Sequence, residues 1–177
     1  TVGSSCTRSR PRAFTSAGHT VIGLSRRESS FGGKSVSIDL ASDDTCQRLV
    51  EVADEFSSPD VVIHAASRQP GPYKLSAYIQ SNVMTTAHLL DALAQFPPGH
   101  LIFTSTLSVY GRPESNPVKE SHPVKGEFPY AATKWWGEQM VSTFTAGTQV
   151  TVLRLPSLYG VGQSDSLIDG LASLAIK

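Results

Sequence analysis

Short apolar runs, separated by stretches with helical spacing, constrain the fold of this 177-residue chain more than any other feature. Each run is bounded by polar or turn residues, which is typical of a strand inside a sheet. The predicted strands are 20–24, 35–38, 61–64, 100–104 and 149–155. Alternating strands and helices predict an α/β fold with a parallel sheet.

The stretches between these runs predict helices. Residues 43–56 have helical spacing, with Asp43 or Ser42 as the N-cap. A longer helix is predicted over 75–96, stopped by the Pro-Pro-Gly run that follows it. Its apolar stripe consists of Ile79, Val83, Ala87, Leu90 and Leu93. Further helices are predicted over 128–144 and 165–176.

Composition excludes several classes of protein. The net charge is zero at a sequence pI of about 6.9, so no basic field attracts nucleic acid. The apolar runs are shorter than the roughly 20 residues that cross a bilayer. Two cysteines do not call for an oxidising compartment. We therefore predict a cytoplasmic domain with a small-molecule substrate and no metal site.

Tyr130 and Lys134 lie four residues apart on one predicted helix and form a candidate proton-transfer pair. A phenol with a pKa of about 10 is a poor base at neutral pH. A neighbouring ammonium favours the phenolate, so Lys134 is expected to lower the pKa of Tyr130. A lone Tyr-x-x-x-Lys also occurs on exposed helices without any catalytic role, so its companions decide the interpretation.

Those companions are Val61–Ala66, Asn82, Phe103–Gly111 and Leu153–Gly160. In this order and spacing they resemble the extended short-chain dehydrogenase/reductase family, which contains NAD(P)-dependent sugar-nucleotide epimerases, dehydratases and reductases. The resemblance runs from about residue 18 to residue 162. It implies a Rossmann-like, doubly wound parallel sheet.

The resemblance also implies catalytic roles. Tyr130 accepts or donates the proton during hydride transfer, and Lys134 lowers its pKa and bonds the nicotinamide ribose. Thr106 stabilises charge on the substrate oxygen. Asn82 supports the site through hydrogen bonds, and Glu138 is a structural helix acid.

Cofactor contacts follow from the same resemblance. Ser25, Arg26 and Arg27 end the strand where arginines accommodate a 2′-phosphate, which favours NADP, with NAD as the alternative if the arginines are merely solvated. Asp39 and Leu40 lie where family members contact adenine, although an Asp after a strand is also ordinary turn chemistry. The other implied contacts are His64, Ala65, Ala66, Thr104, Tyr130, Lys134 and Pro156. For His64, a satisfied strand-end histidine is the simpler interpretation.

The first 17 residues depart from the family pattern. Only Gly3 stands where a glycine-rich phosphate loop is expected, and Pro11 lies where a helix interior belongs. The first 27 residues contain arginines but no acidic residue. A targeting peptide, a divergent arginine loop and a shifted reading frame remain open explanations. The initial Thr predicts a fragment.

The sequence indicates the substrate and the type of reaction less clearly than it indicates the cofactor. Leu107 and Ser108 follow Thr106 where dehydratases carry acids, which leaves epimerisation or carbonyl reduction. Ser157 replaces an Asn that contacts nucleotide sugars in many members, which weakens that assignment. Residues 1–155 are predicted as the NAD(P)-binding domain and 156–177 as the start of a substrate domain.

Two hypotheses for function stay open. One is an NAD(P)-dependent oxidoreductase or epimerase, and the other is a non-catalytic dinucleotide-binding remnant. The resemblance implies that an intact member forms a homodimer through four helices, including the helix of Tyr130. Trp135 and Trp136 are expected to pack and to contribute in part to that surface.

Overall fold

The computed structural model describes residues 12–27, 32–144 and 147–158. These residues fall into two compact units. The first contains 12–38, apart from the residues not described, together with 157 and 158. It holds a parallel pair of strands, β1 (Ile22–Ser25) and β2 (Lys34–Ser37). Both predicted strands are confirmed, with bounds that differ by one or two residues.

The second unit, Asp39–Pro156, contains the remaining described elements. In chain order they are α1 (Thr45–Phe56), β3 (Val61–His64), α2 (Leu75–Tyr78), a π-helical segment (Ile79–Met84), α3 (Thr85–Leu93), β4 (His100–Thr106), a 3₁₀ turn (Leu107–Tyr110), α4 (Pro129–Ser142) and β5 (Gln149–Leu155). Strands β3, β4 and β5 form a parallel sheet in that order. The predicted bounds of β3 and β5 agree with the structure, and β4 runs two residues further than predicted.

One face of this three-stranded sheet packs against α4. Along β4 the side chains alternate, and Leu101 and Phe103 are 0% and 2% exposed on the covered face. A Cβ added to Gly137 of α4 would lie 2.5 Å from Cζ of Phe103. The helix therefore approaches the sheet so closely that only glycine fits at this position.

The long predicted helix is confirmed but differs in detail. It ends at Leu93 instead of residue 96, and the π-helical segment interrupts it. Its most buried face carries Tyr78, Asn82 and Leu89, whereas most of the predicted apolar stripe is only half-buried. The wider π turn changes the helical phase around Asn82, whose polar partners lie inside the unit.

Helix ends account for the other differences. The predicted caps of α1 are wrong, because the helix begins after Asp44, whose side chain makes no capping hydrogen bond. The Thr45 hydroxyl instead donates to the Asp39 carbonyl, 2.9 Å away. Helix α4 begins with Pro129 at a favoured first position and ends at Ser142. The predicted helix 165–176 lies outside the described residues.

Candidate active site

Thr106 and Tyr130 are brought together where β4 ends and α4 begins. The Thr106 hydroxyl accepts a hydrogen bond from the Ser108 amide, 3.2 Å away, which caps the 3₁₀ turn. The Thr106 side chain lies close enough to the Tyr130 hydroxyl to lower the pKa of that phenol. Tyr130 is the second residue of α4 and is 8% exposed. The Thr106 and Tyr130 side chains therefore lie together at the carboxyl end of β4, the sheet edge at which open α/β folds bind ligands.

The pKa of Tyr130 is raised, whereas the sequence predicted that it would be lowered. Burial raises this pKa above its usual value, the interaction with Thr106 lowers it, and Tyr78 raises it. The expected lowering by Lys134 is wrong for this arrangement. The Lys134 Nζ lies over the Phe103 ring, 4.2 Å from its centroid, so its ammonium is directed at the sheet instead of at the phenol.

Lys134 is itself a perturbed group. Its side chain is 3% exposed, and burial lowers its pKa from 10.5 to about 8, while the charge of Glu138 raises that pKa. Lys134 therefore remains mostly an ammonium at neutral pH but loses its proton much more readily than an exposed lysine.

His64 ends β3 on the same covered face. It is 3% exposed, and burial, followed by the charge of Lys134, lowers its pKa from 6.5 to about 3. Its Nε2 lies 3.0 Å from the Thr86 hydroxyl, which donates to the Asn82 carbonyl at 2.7 Å. Because that hydroxyl uses its proton on the carbonyl, His64 donates from Nε2. The imidazole is neutral and bonded, as expected for a satisfied strand-end histidine.

Asn82 links the loop after β3 to the first turn of α4. Its Oδ1 accepts from the Arg68 amide at 2.7 Å, and its Nδ2 donates to the Thr133 hydroxyl at 3.0 Å. That hydroxyl donates to the Tyr130 carbonyl at 2.9 Å. Sequence reasoning missed Thr133 and Thr86. Their signal was spacing, because they lie three and four residues after Tyr130 and Asn82 on the same helix faces.

The cofactor residues predicted in the second unit occupy strand ends. Ala65 and Ala66 follow β3 and are exposed, so the backbone there is open to a flat ligand. The Thr104 hydroxyl donates to the His64 carbonyl at 3.2 Å, and exposed Pro156 follows β5 directly. These small or partly exposed groups are compatible with the ribose and nicotinamide of NAD(P).

Asp39 and Leu40 are less accessible to a ligand than the residues at the ends of β3 and β5, because both already have contacts within the protein. The Asp39 carboxylate accepts from the Ala41 amide at 3.1 Å, which is turn chemistry. Leu40 is 9% exposed and packs as a core residue. Their contacts with adenine stay a prediction.

In the first unit, Ser25, Arg26 and Arg27 end β1 and are exposed. The Ser25 hydroxyl donates to the Arg27 carbonyl, which closes a turn. The Ser37 hydroxyl donates to the Arg26 carbonyl at 3.3 Å. Ser157, also in this unit, is exposed. The segment predicted to lack a glycine-rich loop lies outside the described residues up to residue 11.

A buried polar network also lies beneath the site. Glu138 is 2% exposed and accepts from the Ser105 hydroxyl and from Arg154, whose Nη2 lies 2.6 Å from Oε2. The Arg154 Nη1 donates to the Tyr110 hydroxyl at 2.7 Å. Sequence reasoning gave Glu138 a structural role but did not connect it to Ser105.

The described residues contain no group of three or more His, Cys, Asp or Glu side chains placed to hold a metal ion. None of the helices described is long and apolar enough to cross a membrane.

Several known proteins are similar to this chain. A family model described as "NAD dependent epimerase/dehydratase family" matches residues 8–177. A putative UDP-glucose 4-epimerase of Methanocaldococcus jannaschii is 26% identical over 80% of this chain and 47% of its own length. A probable UDP-glucuronate 4-epimerase of Rhizobium meliloti is 31% identical over 74% of this chain and 39% of its own length.

A solved UDP-glucose 4-epimerase from Brucella ovis in complex with NAD is 25% identical, with a TM-score of 0.72 over 81% of this chain and 46% of that chain. The chain thus spans about half the length of the relatives it matches. The fold class is confirmed as α/β with Rossmann-like neighbours.

Proposed function

Because the chain belongs to the NAD-dependent epimerase/dehydratase family, we propose that it forms the cofactor-binding part of an NAD(P)-dependent epimerase that acts on a nucleotide sugar. The observation that carries this proposal is the placement of the Thr106 and Tyr130 hydroxyls, with buried Lys134 one turn further along α4. The named relatives, which include UDP-glucose and UDP-glucuronate 4-epimerases, support the substrate class.

The protein side chains have separate roles in this proposal. When bound, the nicotinamide supplies a hydride acceptor or donor. Tyr130 is protonated at neutral pH because burial raises its pKa, so it is suited to donate a proton to a substrate carbonyl. Thr106 donates a hydrogen bond to the same substrate oxygen. In the reverse reaction Tyr130 accepts a proton, and Thr106 favours the phenolate because it lowers the pKa of Tyr130. Lys134 would supply positive charge for holding the ribose of the bound cofactor.

Epimerisation is favoured over dehydration by the residues after Thr106. Leu107, 44% exposed, and Ser108 present no carboxylate for removing water from a sugar ring. Simple carbonyl reduction uses the same Thr106, Tyr130 and Lys134, and Ser157 in place of the usual Asn favours that second candidate.

For the cofactor, the proposal is NADP, with NAD as the alternative. Two exposed guanidinium side chains, Arg26 and Arg27, lie at the end of β1, where a 2′-phosphate needs positive charge. The Brucella ovis relative contains NAD, which supports the alternative. Replacing both arginines with Ala should weaken NADPH binding and leave NADH binding almost unchanged.

Calorimetric titration of this chain with NADPH and NADH tests the proposal directly. Saturable binding of at least one cofactor is expected, and undetectable binding of both at millimolar concentration would refute it. Conversion of UDP-glucose to UDP-galactose is then followed by chromatography. Tyr130→Phe should reduce turnover about 10²- to 10⁴-fold and leave cofactor affinity nearly intact. Exposed Tyr73→Phe is the matched control.

A non-catalytic dinucleotide-binding module is the other class of function. Cofactor binding without any conversion of substrate would support it. Conversion that disappears in Tyr130→Phe would exclude it.

The homodimer also remains a proposal, through α3 and α4. Ala87 and Leu90 on α3 and Met140 on α4 line one groove of the second unit, and Trp136 on α4 is 44% exposed. A second copy would bury this half-exposed stripe. Leu90→Glu should yield a monomer by light scattering, whereas Leu75→Glu should not change the mass. A wild-type chain that is monomeric refutes the proposal. The cytoplasmic location stays a prediction from composition.

A further inference from the structure

Glu138 lies at the centre of a network that joins three elements. Its carboxylate accepts from Ser105 on β4 and from the Arg154 guanidinium on β5, with Nε 3.1 Å from each carboxylate oxygen. Arg154 Nη2 donates a fourth bond, to Oε2 at 2.6 Å, and a carboxylate with four such bonds is fixed in position. Burying it costs solvation free energy, which the ion pair and hydrogen bonds offset.

Lys134 lies one helical turn before Glu138. Both side chains are on the buried face of α4, 3% and 2% exposed. Side chains four residues apart on a helix are neighbours. Low exposure reduces screening by water, so the two opposite charges interact more strongly here than on a surface. The charge of Glu138 raises the pKa of Lys134 against the effect of burial.

We propose that Glu138 is a positioning residue of the active site, which acts by keeping Lys134 in its charged form. The catalytic role of Lys134 rests on the proposed function, but its charge state can be measured without turnover. Ser105 and Arg154 hold the Glu138 carboxylate in place between α4 and the sheet, on the same buried side of α4 as Lys134. This gives the buried carboxylate a role at the site beyond stability.

The other charged and titratable groups near this pair do not replace Glu138. His64 interacts with the Lys134 charge but is neutral, since its pKa is about 3. Tyr130, on α4 itself, has a raised pKa and is also neutral at pH 7. The remaining titratable side chains on elements packed against α4 are Tyr78, His88, Asp91, His100, Tyr110 and Arg154.

Nuclear magnetic resonance of protein labelled with ¹³Cε-lysine tests the proposal. The Lys134 resonance is assigned by its loss in Lys134→Arg, and its titration midpoint is followed against pH. Glu138→Gln should move this midpoint down by about one pH unit or more. Glu138→Asp keeps the charge and should restore the midpoint. Ser105→Ala, which removes one hydrogen bond but no charge, should leave it close to the wild-type value.

Exposed Glu51→Gln on α1 is the matched control and should not change the midpoint. An unchanged or raised midpoint in Glu138→Gln overturns the proposal, and so does an equal shift in Ser105→Ala. If Glu138→Gln fails to fold, the double variant Glu138→Gln/Arg154→Lys removes the carboxylate charge and keeps a cation, on a more flexible side chain, at the partly exposed position 154. The same downward shift is expected, and its absence there also overturns the proposal. Failure of cofactor binding in the wild type would refute the proposed function alone.

Discussion

The two faces of the three-stranded sheet carry opposite kinds of side chain. On the face covered by α4, His64 and Ser105 are buried toward the carboxyl ends of their strands, next to buried Phe103. On the other face, Val61, Ile63 and Leu153 are 50%, 45% and 39% exposed. The polar groups are thus in the interior and these apolar groups are at the surface.

This difference shows what the covered face does. Buried polar groups are costly unless bonded, and here each has a partner. His64 and Lys134 are both buried on this covered side of the second unit. The pKa of each is strongly lowered, and burial is the largest cause. Burial on the covered face shifts the pKa values of acid and base groups. The exposed face does not provide such an environment.

Among the polar groups of the covered face, breaking the ion pair under the site should have the largest effect on stability. Arg154→Met leaves the Glu138 carboxylate buried without its cation, and we expect a loss of about 3 kcal/mol in the free energy of unfolding. This is the low end of the usual range, because the Arg154 side chain is 24% exposed. Urea unfolding followed by circular dichroism measures the loss.

The exposed ion pair between Lys125 and Glu114 is the control. Its atoms are 2.9 Å apart, but the two side chains are 34% and 78% exposed. Lys125→Met should cause no measurable loss of stability. Equal losses in the two variants would contradict the role given to burial.

A pH effect should come next in size. The pKa of His64 is about 3 when folded and about 6.5 when unfolded. The unfolded chain therefore binds a proton first as pH falls, and stability decreases from about pH 6.5 toward pH 3. By pH 5 this amounts to about 2 kcal/mol.

His64→Gln should lack that part of the pH dependence. The free energies of unfolding at pH 7 and pH 5 are compared for wild type and variant, so titrations common to both cancel. Exposed His19→Gln should keep the wild-type difference. If His64→Gln also keeps it, the imidazole is not held neutral in the folded state.

The strands were the part of the fold that the sequence predicted best. Val61–His64 and Gln149–Leu155 are short apolar runs between turn residues, and local pattern specified both ends. The helix after Leu75 was less predictable, because its buried face depends on hydrogen bonds from Asn82 to Arg68 and Thr133. Those partners are distant in the sequence.

The candidate site shows the same limit. Spacing along α4 correctly indicated that Tyr130 and Lys134 share a helix. It could not show that the Lys134 ammonium lies over Phe103, since that contact depends on how α4 packs on β4. The predicted lowering of the Tyr130 pKa was wrong. Burial raises this pKa, and spacing along a helix carries no information about burial.

Close packing of α4 on the sheet predicts a smaller effect. Gly137→Ala places a methyl group against the Phe103 ring, and we expect a loss of about 1–3 kcal/mol in the free energy of unfolding. The Lys134 resonance should also move, because the same ring contacts its ammonium. Gln139→Ala, on the exposed face of α4, should be neutral or slightly stabilising. A stable Gly137→Ala protein would mean that the helix can move away from the sheet at little cost.

The exposed face of the sheet should respond least. Ile63→Thr keeps a β-branched residue in β3 and should change the free energy of unfolding by less than about 0.5 kcal/mol, because Ile63 is already 45% exposed. Leu101→Ala on the covered face, where the side chain is fully buried, should cost about 2–5 kcal/mol. Both are measured by urea unfolding. If Ile63→Thr costs as much as Leu101→Ala, then this apolar face is buried in solution against another surface, and the contrast between the two faces belongs to the isolated chain alone.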